Sequence, residues 1–159
     1  MKKISILSVA ALMAMLFACG GNEKTETTTT EEPISMVEDA PSYDSKRGEG
    51  KYTSENITIN DPLNEEWVKS GENVSNVKCG SCHKMTDEKL VGPGWKGVTQ
   101  RRTPEWIMNF ITNPDPMIDK DPEAQAMLEL CLVRMPNQSL SDGEARNLLE
   151  YMFHIDGKK

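Results

Sequence analysis

Apolar residues recur at spacings of three and four through the C-terminal part of the chain, the pattern of amphipathic helices. Trp67, Val74 and Val77 mark a first helix, which Gly71 is expected to weaken or divide in two. Three further helices are indicated by the apolar sets Ile107, Phe110 and Ile111; Met127, Leu128, Cys131 and Leu132; and Leu148, Leu149, Met152 and Ile155. No strand-like run competes with them, so we predict an all-α domain of roughly three to five helices.

Local signals predict where these helices begin and end. Thr103-Pro104-Glu105 places a capping hydroxyl before a proline at the first helical position, and Asp121-Pro122-Glu123 uses a carboxylate in the same way. Ser141-Asp142-Gly143-Glu144 has the pattern of a capping box. Asn113-Pro114 is expected to stop the helix before it, because proline lacks an N–H and restricts its preceding residue.

The N-terminal segment has the composition of an export signal. Two lysines precede Ile4–Phe17, an uncharged apolar run shorter than the ~20 residues of a membrane-spanning helix. Cys19 follows a small residue at the expected cleavage point and resembles the lipidated cysteine of a bacterial lipobox. We predict a lipoprotein-type signal peptide over residues 1–18. The alternative is an ordinary secretory signal with an incidental cysteine.

Residues 19–60 are expected to form a disordered acidic tether that begins at the lipidated cysteine. Thr and Glu dominate the early part of this segment and large apolar residues are scarce, so little surface is available to offset the entropy of ordering. Tyr52–Ile59 is the part that could fold back as an arm, because Ile57 and Ile59 alternate. The globular domain is therefore assigned to residues 61–159.

Charge limits the possible partners. The whole chain carries a formal net charge of −7, which disfavours nucleic-acid binding. Cations nevertheless cluster between positions 78 and 102, where only two acidic residues intervene; they are Lys78, Lys84, Lys89, Lys96, Arg101 and Arg102. One hypothesis is a basic rim that steers docking onto an acidic partner, and the alternative is a solvated surface with no directional role.

Cys79-Gly80-Ser81-Cys82-His83 has the C-x-x-C-H spacing used to attach haem c. Cys79 and Cys82 can bond covalently to the two vinyl groups of one haem, and His83 is then the proximal ligand of the iron. A zinc site would require a second Cys/His pair, but the only other histidine is His154. A thioredoxin-like dithiol would require a βαβ context, which the chain does not supply.

Met135 is the predicted sixth ligand of the iron. It precedes Pro136 in a segment between two predicted helices, where an extended loop allows a thioether to reach a metal. His154 is the rival ligand, although it lies on the last predicted helix. Five other methionines are better explained as core residues: Met85, Met108, Met117, Met127 and Met152.

Several motifs together resemble the class I cytochrome c family. They are the Cys79–His83 motif, the Leu90–Val98 segment with its Gly-Pro-Gly sequence, the Arg134–Pro136 segment and the Leu140–Glu144 segment, and the match covers roughly residues 70–156. The resemblance implies a small helical domain around one covalent haem c. In that family the helix before the haem motif packs across the C-terminal helix, and a loop methionine is the distal ligand.

The resemblance also implies roles in the haem pocket. Ligand histidines need an acceptor for their second N–H. For His83 the implied acceptor is the carbonyl oxygen of Pro93. Gly92 and Gly94 would let the backbone approach the imidazole closely. Trp95 and Trp106 either donate hydrogen bonds to haem propionates or fill space.

The chain departs from the family pattern between Asn113 and Leu132, where it carries an additional acidic segment with several prolines. Cys131 lies in this insertion, four residues before Met135. A bond between its thiolate and the iron is conceivable, but a cysteine on an apolar helix face is more often simply buried.

The expected function is that of an electron carrier rather than an enzyme, because an iron with histidine and methionine ligands has no position for a substrate. The expected location is the periplasm, with the protein anchored to a membrane by lipid. A quinol-oxidising complex is the expected donor, and a terminal oxidase or periplasmic reductase the acceptor. Two alternatives stay open: a gas sensor in which Met135 is displaced, and a haem subunit docked on a larger redox enzyme, possibly a denitrification reductase.

Overall fold

A computed structural model of the chain describes residues 43–159. Six helices follow one another: α1 (Glu65–Lys78), α2 (Val98–Arg101), α3 (Pro104–Thr112), α4 (Pro114–Lys120), α5 (Pro122–Cys131) and α6 (Asp142–Ile155). There is no β-strand in this part of the chain. The all-α class is confirmed, although the helices number one more than the upper bound of the prediction.

The first and last helices cross at a glycine. A Cβ atom added to Gly71 of α1 would lie 2.1 Å from the carbonyl oxygen of Asn147 and 2.8 Å from Cβ of Tyr151, both on α6. Of the two alternatives predicted for Gly71, division of the helix is wrong, since α1 runs unbroken through it. The close contact with α6 stabilises a residue that would be unfavourable in an isolated helix.

One of the two helices that the sequence patterns do not predict, α4, begins at a proline. Asn113 ends α3 as predicted, but Pro114 then occupies the first turn of α4, where its missing N–H costs nothing. The prediction for Leu132 is wrong. Helix α5 ends at Cys131, and Leu132 adopts a left-handed conformation (φ 58°) with its side chain 86% exposed.

The buried core lies where α3, α4 and α6 meet. It includes Ile107, Met108 and Ile111 of α3, Met117 and Ile118 of α4, and Leu148, Leu149 and Met152 of α6. The capping box at the start of α6 is present in full, because Ser141 and Glu144 each accept from the other's backbone N–H. Short helix α2 is tied to the end of α6 by Asp156, whose carboxylate accepts from the backbone N–H groups of Gly97 and Thr99.

Residues 43–60, here called the arm, pack against the helices. The buried Asn109 side chain accepts from the backbone N–H of Tyr52 at 2.9 Å and donates to the carbonyl oxygens of Tyr52 and Arg47, each at 3.0 Å. Ile57 and Ile59 also pack on the core. The arm therefore packs on the helices although it precedes residue 61, where the globular domain is predicted to begin, because α3 supplies polar partners for its backbone.

The predicted signal peptide (1–18), Cys19 and the first part of the tether lie outside the described residues. Between Tyr43 and Lys159, none of the helices has both the length and the apolar character needed to cross a membrane. The lipid anchor stays a prediction.

Gly71→Ala should destabilise the protein by roughly 1–3 kcal/mol, because the new methyl group collides with the backbone of α6 and the two helices must separate. Urea unfolding followed by circular dichroism measures this change. Gly143→Ala is the matched control, since a Cβ there meets nothing within 4 Å and should leave stability equal or slightly higher. Equal stabilities of the two variants would contradict the tight crossing.

Candidate haem site

A cavity of about 320 Å³ opens between the end of α1, helices α3, α5 and α6, and the two loops that carry Pro93 and Met135. The predicted site residues at its wall are Cys79, Cys82, His83, Pro93, Trp95, Trp106 and Met135. The apolar part of the lining comes from helix residues that include Ile107, Phe110, Ile111, Met127, Leu148 and Met152. Gly92 lies beside His83 in an adjoining cavity of about 80 Å³.

The haem motif continues the end of α1. The backbone N–H of Cys79 donates to Ser75, and those of Cys82 and His83 both donate to the carbonyl oxygen of Cys79 at 3.0 Å. This winding brings both thiols to the same cavity, and neither is in a disulfide. Burial raises the pKa of the Cys79 thiol to about 11, so the thiol stays protonated at neutral pH.

The orientation of His83 is fixed by a backbone carbonyl. Its Nδ1 lies 2.9 Å from the carbonyl oxygen of Pro93, and because a carbonyl only accepts, Nδ1 must carry the proton. The lone pair is then on Nε2, the nitrogen left for a metal. Burial lowers the pKa of His83, which favours the neutral imidazole that metal binding requires.

The two glycines around Pro93 serve different purposes. A Cβ on Gly92 would lie 2.4 Å from Cε1 of His83, so only glycine allows the backbone this close to the imidazole. A Cβ on Gly94 would instead meet the carbonyl oxygen of Thr86 at 2.3 Å. The expectation that Gly94 also lets the backbone approach the imidazole is therefore wrong. The missing side chain of Gly94 instead allows two loop segments to pack together.

Met135 lies in the loop between α5 and α6, is partly buried, and lines the same cavity as His83. Neighbouring Arg134 anchors this loop to α4 through Asp115 at 2.8 Å and Asp119 at 2.7 Å. Met127, assigned to the core from sequence, lines the cavity as well. The helical spacing of Met127 in the sequence is the same for a residue that fills the core and for one that lines a cavity, so the sequence could not separate the two roles.

The rival ligands lie elsewhere. His154 is exposed and does not line the cavity. Cys131 is partly buried at the end of α5 and borders the smaller adjoining cavity, which Met135 and His83 also line. Met135 is thus the candidate distal ligand that borders both cavities together with His83.

The two tryptophans form different parts of the wall. The Trp95 ring centroid lies 5.7 Å from that of His83 at a tilt of 41°. Trp106 stacks on Phe110 with centroids 4.9 Å apart, and its Nε1–H donates to the Asp121 carboxylate at 3.0 Å. Of the two roles predicted for Trp106, the structure therefore favours filling space, since its only polar hydrogen is bonded to the protein.

The cluster of six cations is partly neutralised within the molecule. Three members form ion pairs: Lys78 with Glu144, Lys84 with Glu88, and Arg102 with Glu123. Lys89, Lys96 and Arg101 instead donate to backbone carbonyl oxygens, which leaves their charge uncompensated. These three residues border a common surface groove next to Pro93, together with one acidic residue, Asp87. Of the six cations in the predicted basic rim, only the three at this groove lack an ion pair among the described residues.

Known proteins resemble the chain in both sequence and fold. The cytochrome c family profile matches residues 68–156, more than half of the chain. The chain belongs to the cytochrome c family. Its structure is similar to that of cytochrome c from Rhodothermus marinus, with a TM-score of 0.64 and 29% identity, covering 72% of this chain and 95% of that one. No curated protein matches it.

Two engineered structures are also similar. An engineered cytochrome c from Rhodothermus marinus, Rma TDE, aligns with a TM-score of 0.62 and 28% identity, over 70% of this cytochrome and 93% of that chain. The same engineered protein bound to a carbene intermediate aligns with a TM-score of 0.59, again at 28% identity, with 70% and 93% covered.

The class I resemblance and the cofactor, one covalent haem c, are thus confirmed. The residues present fit this group. Two free thiols and an imidazole with its Nε2 lone pair available border one cavity, and the backbone at Gly92 leaves no space for a side chain against the imidazole. Family membership also makes this cytochrome an electron-transfer protein with redox partners, and cytochrome c domains are typically exported.

Gly92→Ala should displace the His83 imidazole, since the added methyl group would lie 2.4 Å from Cε1. We expect a loss of roughly 1–3 kcal/mol in the unfolding free energy of the holoprotein, together with a weakened low-spin haem spectrum. Gly80→Ala is the control within the same motif, because its Cβ would meet only an ordinary contact at 3.4 Å. If both variants keep the wild-type spectrum, the close approach at Gly92 does not position the histidine.

Proposed function

We propose that this cytochrome is a membrane-tethered, periplasmic, mono-haem carrier of single electrons. Its donor would be a quinol-oxidising complex, and its acceptor a terminal oxidase or a periplasmic reductase. The observation that carries the proposal is that His83 and Met135 line one cavity together with two free thiols. Both axial positions of the iron can then be occupied by the protein, which suits outer-sphere electron transfer and leaves no position for a substrate.

Each site residue has a proposed role. Cys79 and Cys82 would hold the haem through thioether bonds, His83 would bind the iron through Nε2, and Met135 would bind it through its thioether sulfur. The haem, when bound, supplies an iron that gains or loses one electron. The thioether sulfur, softer than a second imidazole, favours the reduced state and so a higher potential.

The rest of the pocket supports these ligands. The carbonyl oxygen of Pro93 holds the His83 proton on Nδ1, which fixes the direction of Nε2. Gly92 makes room for this contact, and Trp95 packs beside the imidazole. The buried side chains of α3 and α6 exclude water, which keeps reorganisation small when an electron is exchanged.

The proposed tether gives the domain access to its partners. An acyl chain contributes about 0.8 kcal/mol per buried CH₂, so several chains on Cys19 would hold the protein at a membrane. A flexible acidic segment would then let the haem domain search for donor and acceptor. The groove bordered by Lys89, Lys96 and Arg101 is a suitable contact for carboxylates on such a partner.

Met135→Ala should open the sixth coordination position of the iron. We expect a high-spin spectrum, a lower midpoint potential, and carbon monoxide binding by the reduced variant, which the wild-type carrier should not show. Met127→Ala is the control, because Met127 lines the same cavity; it is partly buried, so the variant should lose less than the ~2–5 kcal/mol of a fully buried methionine and keep the low-spin spectrum. An unchanged spectrum in Met135→Ala would refute the ligand assignment, and rapid carbon monoxide binding by the wild type would favour the sensor.

Cys19→Ala should release the protein from membranes. In a bacterial host able to mature c-type cytochromes, the full chain is expected to partition into the detergent phase and the variant into the aqueous phase. Cys131→Ala removes a cysteine from the folded domain and should partition like the wild type. Aqueous partitioning of the wild type itself would rule out the lipid anchor while leaving the haem assignments intact.

A further inference from the structure

Asp121 is a buried carboxylate that the proposed mechanism does not use. It is 0% exposed and caps the start of α5, within the segment that departs from the family pattern. Its Oδ1 accepts from the backbone N–H of Ala124 at 2.8 Å, and its Oδ2 accepts from Nε1 of Trp106 at 3.0 Å. The hydroxyl of Tyr43, from the arm, donates to the same Oδ2.

The donors around this carboxylate are all neutral. Burial and the hydrogen bond to Asp121 raise the pKa of Tyr43, so its hydroxyl keeps its proton. No ion pair among residues 43–159 involves Asp121. The guanidinium carbon of Arg102 lies 4.8 Å from the centroid of the Trp106 ring, but its ion pair is with Glu123, and Lys120 pairs with Glu49. The charge is therefore stabilised by hydrogen bonds without being neutralised, and it acts over distance because the surroundings have a low dielectric constant.

Trp106 connects this carboxylate to the haem cavity. Its indole ring lines the cavity and stacks on Phe110, which lines it too, at an interplanar angle of 6°. One side chain thus separates Asp121 from the space that the haem would fill. From the arm, the hydroxyl of Tyr43 reaches the same carboxylate.

We propose that Asp121 is a positioning residue that holds Trp106 and Phe110 in the cavity wall and, through its charge, lowers the reduction potential of the haem, an effect that Tyr43 partly offsets. This inference rests on the proposed mono-haem function. The ferric state carries one more positive charge than the ferrous state, so a nearby negative charge favours oxidation. The hydroxyl dipole of Tyr43 opposes that field.

The sign of the potential shift tests the proposal. In the full-length holoprotein, Asp121→Asn removes the charge while keeping an oxygen acceptor, and should shift the midpoint potential upward. Tyr43→Phe removes the compensating hydroxyl and should shift it downward. Tyr52→Phe is the matched control, because Tyr52 is also in the arm and its hydroxyl donates to a carboxylate, that of Asp142 at 2.8 Å. Unlike Asp121, Asp142 accepts from no side chain that lines the haem cavity. The potential of Tyr52→Phe should equal that of the wild type.

A second measurement separates positioning from general damage. The Trp106 indole N–H resonance of the reduced protein should move in Asp121→Asn and Tyr43→Phe and stay in place in Tyr52→Phe. The low-spin spectrum should be unchanged in all three variants, which shows that the axial ligands are intact. If Asp121→Asn does not retain haem, the comparison of the two tyrosine variants decides the question.

Three results would overturn the inference: an unchanged or lowered potential in Asp121→Asn, equal shifts in the two tyrosine variants, or a stationary Trp106 resonance in Asp121→Asn and Tyr43→Phe. Any of these three results is compatible with a normal low-spin haem in the wild-type protein, so the proposed function would still hold. A wild-type protein without a low-spin haem, or one that keeps it after loss of Met135, would count against the proposed function instead.

Discussion

Helices α1 and α6 approach each other so closely at Gly71 that the carbonyl oxygen of Asn147 occupies the place of a side chain. The haem motif directly follows α1, so this crossing decides where Cys79, Cys82 and His83 lie relative to the core residues of α6. Two further parts of the cavity wall are attached to α6: α2 through Asp156, and the Met135 loop through its junction with the helix. A small domain with a marginal core depends on such a fixed contact to present its ligands consistently.

The site combines rigid backbone contacts with an adjustable electrostatic environment. The carbonyl oxygen of Pro93 and the missing side chain of Gly92 fix His83 by sterics and one hydrogen bond. The charges around the cavity depend on other residues. Several surface cations are paired with acids, whereas the buried Asp121 has only neutral donors. Haem proteins with the same pair of axial ligands can therefore have different reduction potentials, because the charges near the haem differ.

The arm and the segment between Asn113 and Leu132 are where this cytochrome adds to the family pattern. Both meet at Asp121, since the arm supplies Tyr43 and the segment supplies the carboxylate. Residues 19–60, which end in the arm, are acidic and poor in large apolar residues, and this composition predicts a disordered tether, whereas the arm itself is ordered. Its order comes from α3 instead, where the buried Asn109 satisfies the backbone of Tyr52 and Arg47. Hydrogen bonds to this buried amide add to the apolar contacts that Tyr52, Ile57 and Ile59 make with the core.

The sequence by itself determined the helix starts at Pro104, Pro122 and Asp142 and the covalent haem motif, because capping and the C-x-x-C-H spacing involve residues only a few positions apart. Tertiary structure decided the rest. Gly71 is tolerated because α6 packs against it, Met127 reaches the cavity, and the indole N–H of Trp106 is bonded to Asp121. Tyr43 and Asp121 are 78 positions apart, and no local propensity or periodicity carries information about a contact between residues so distant in the chain.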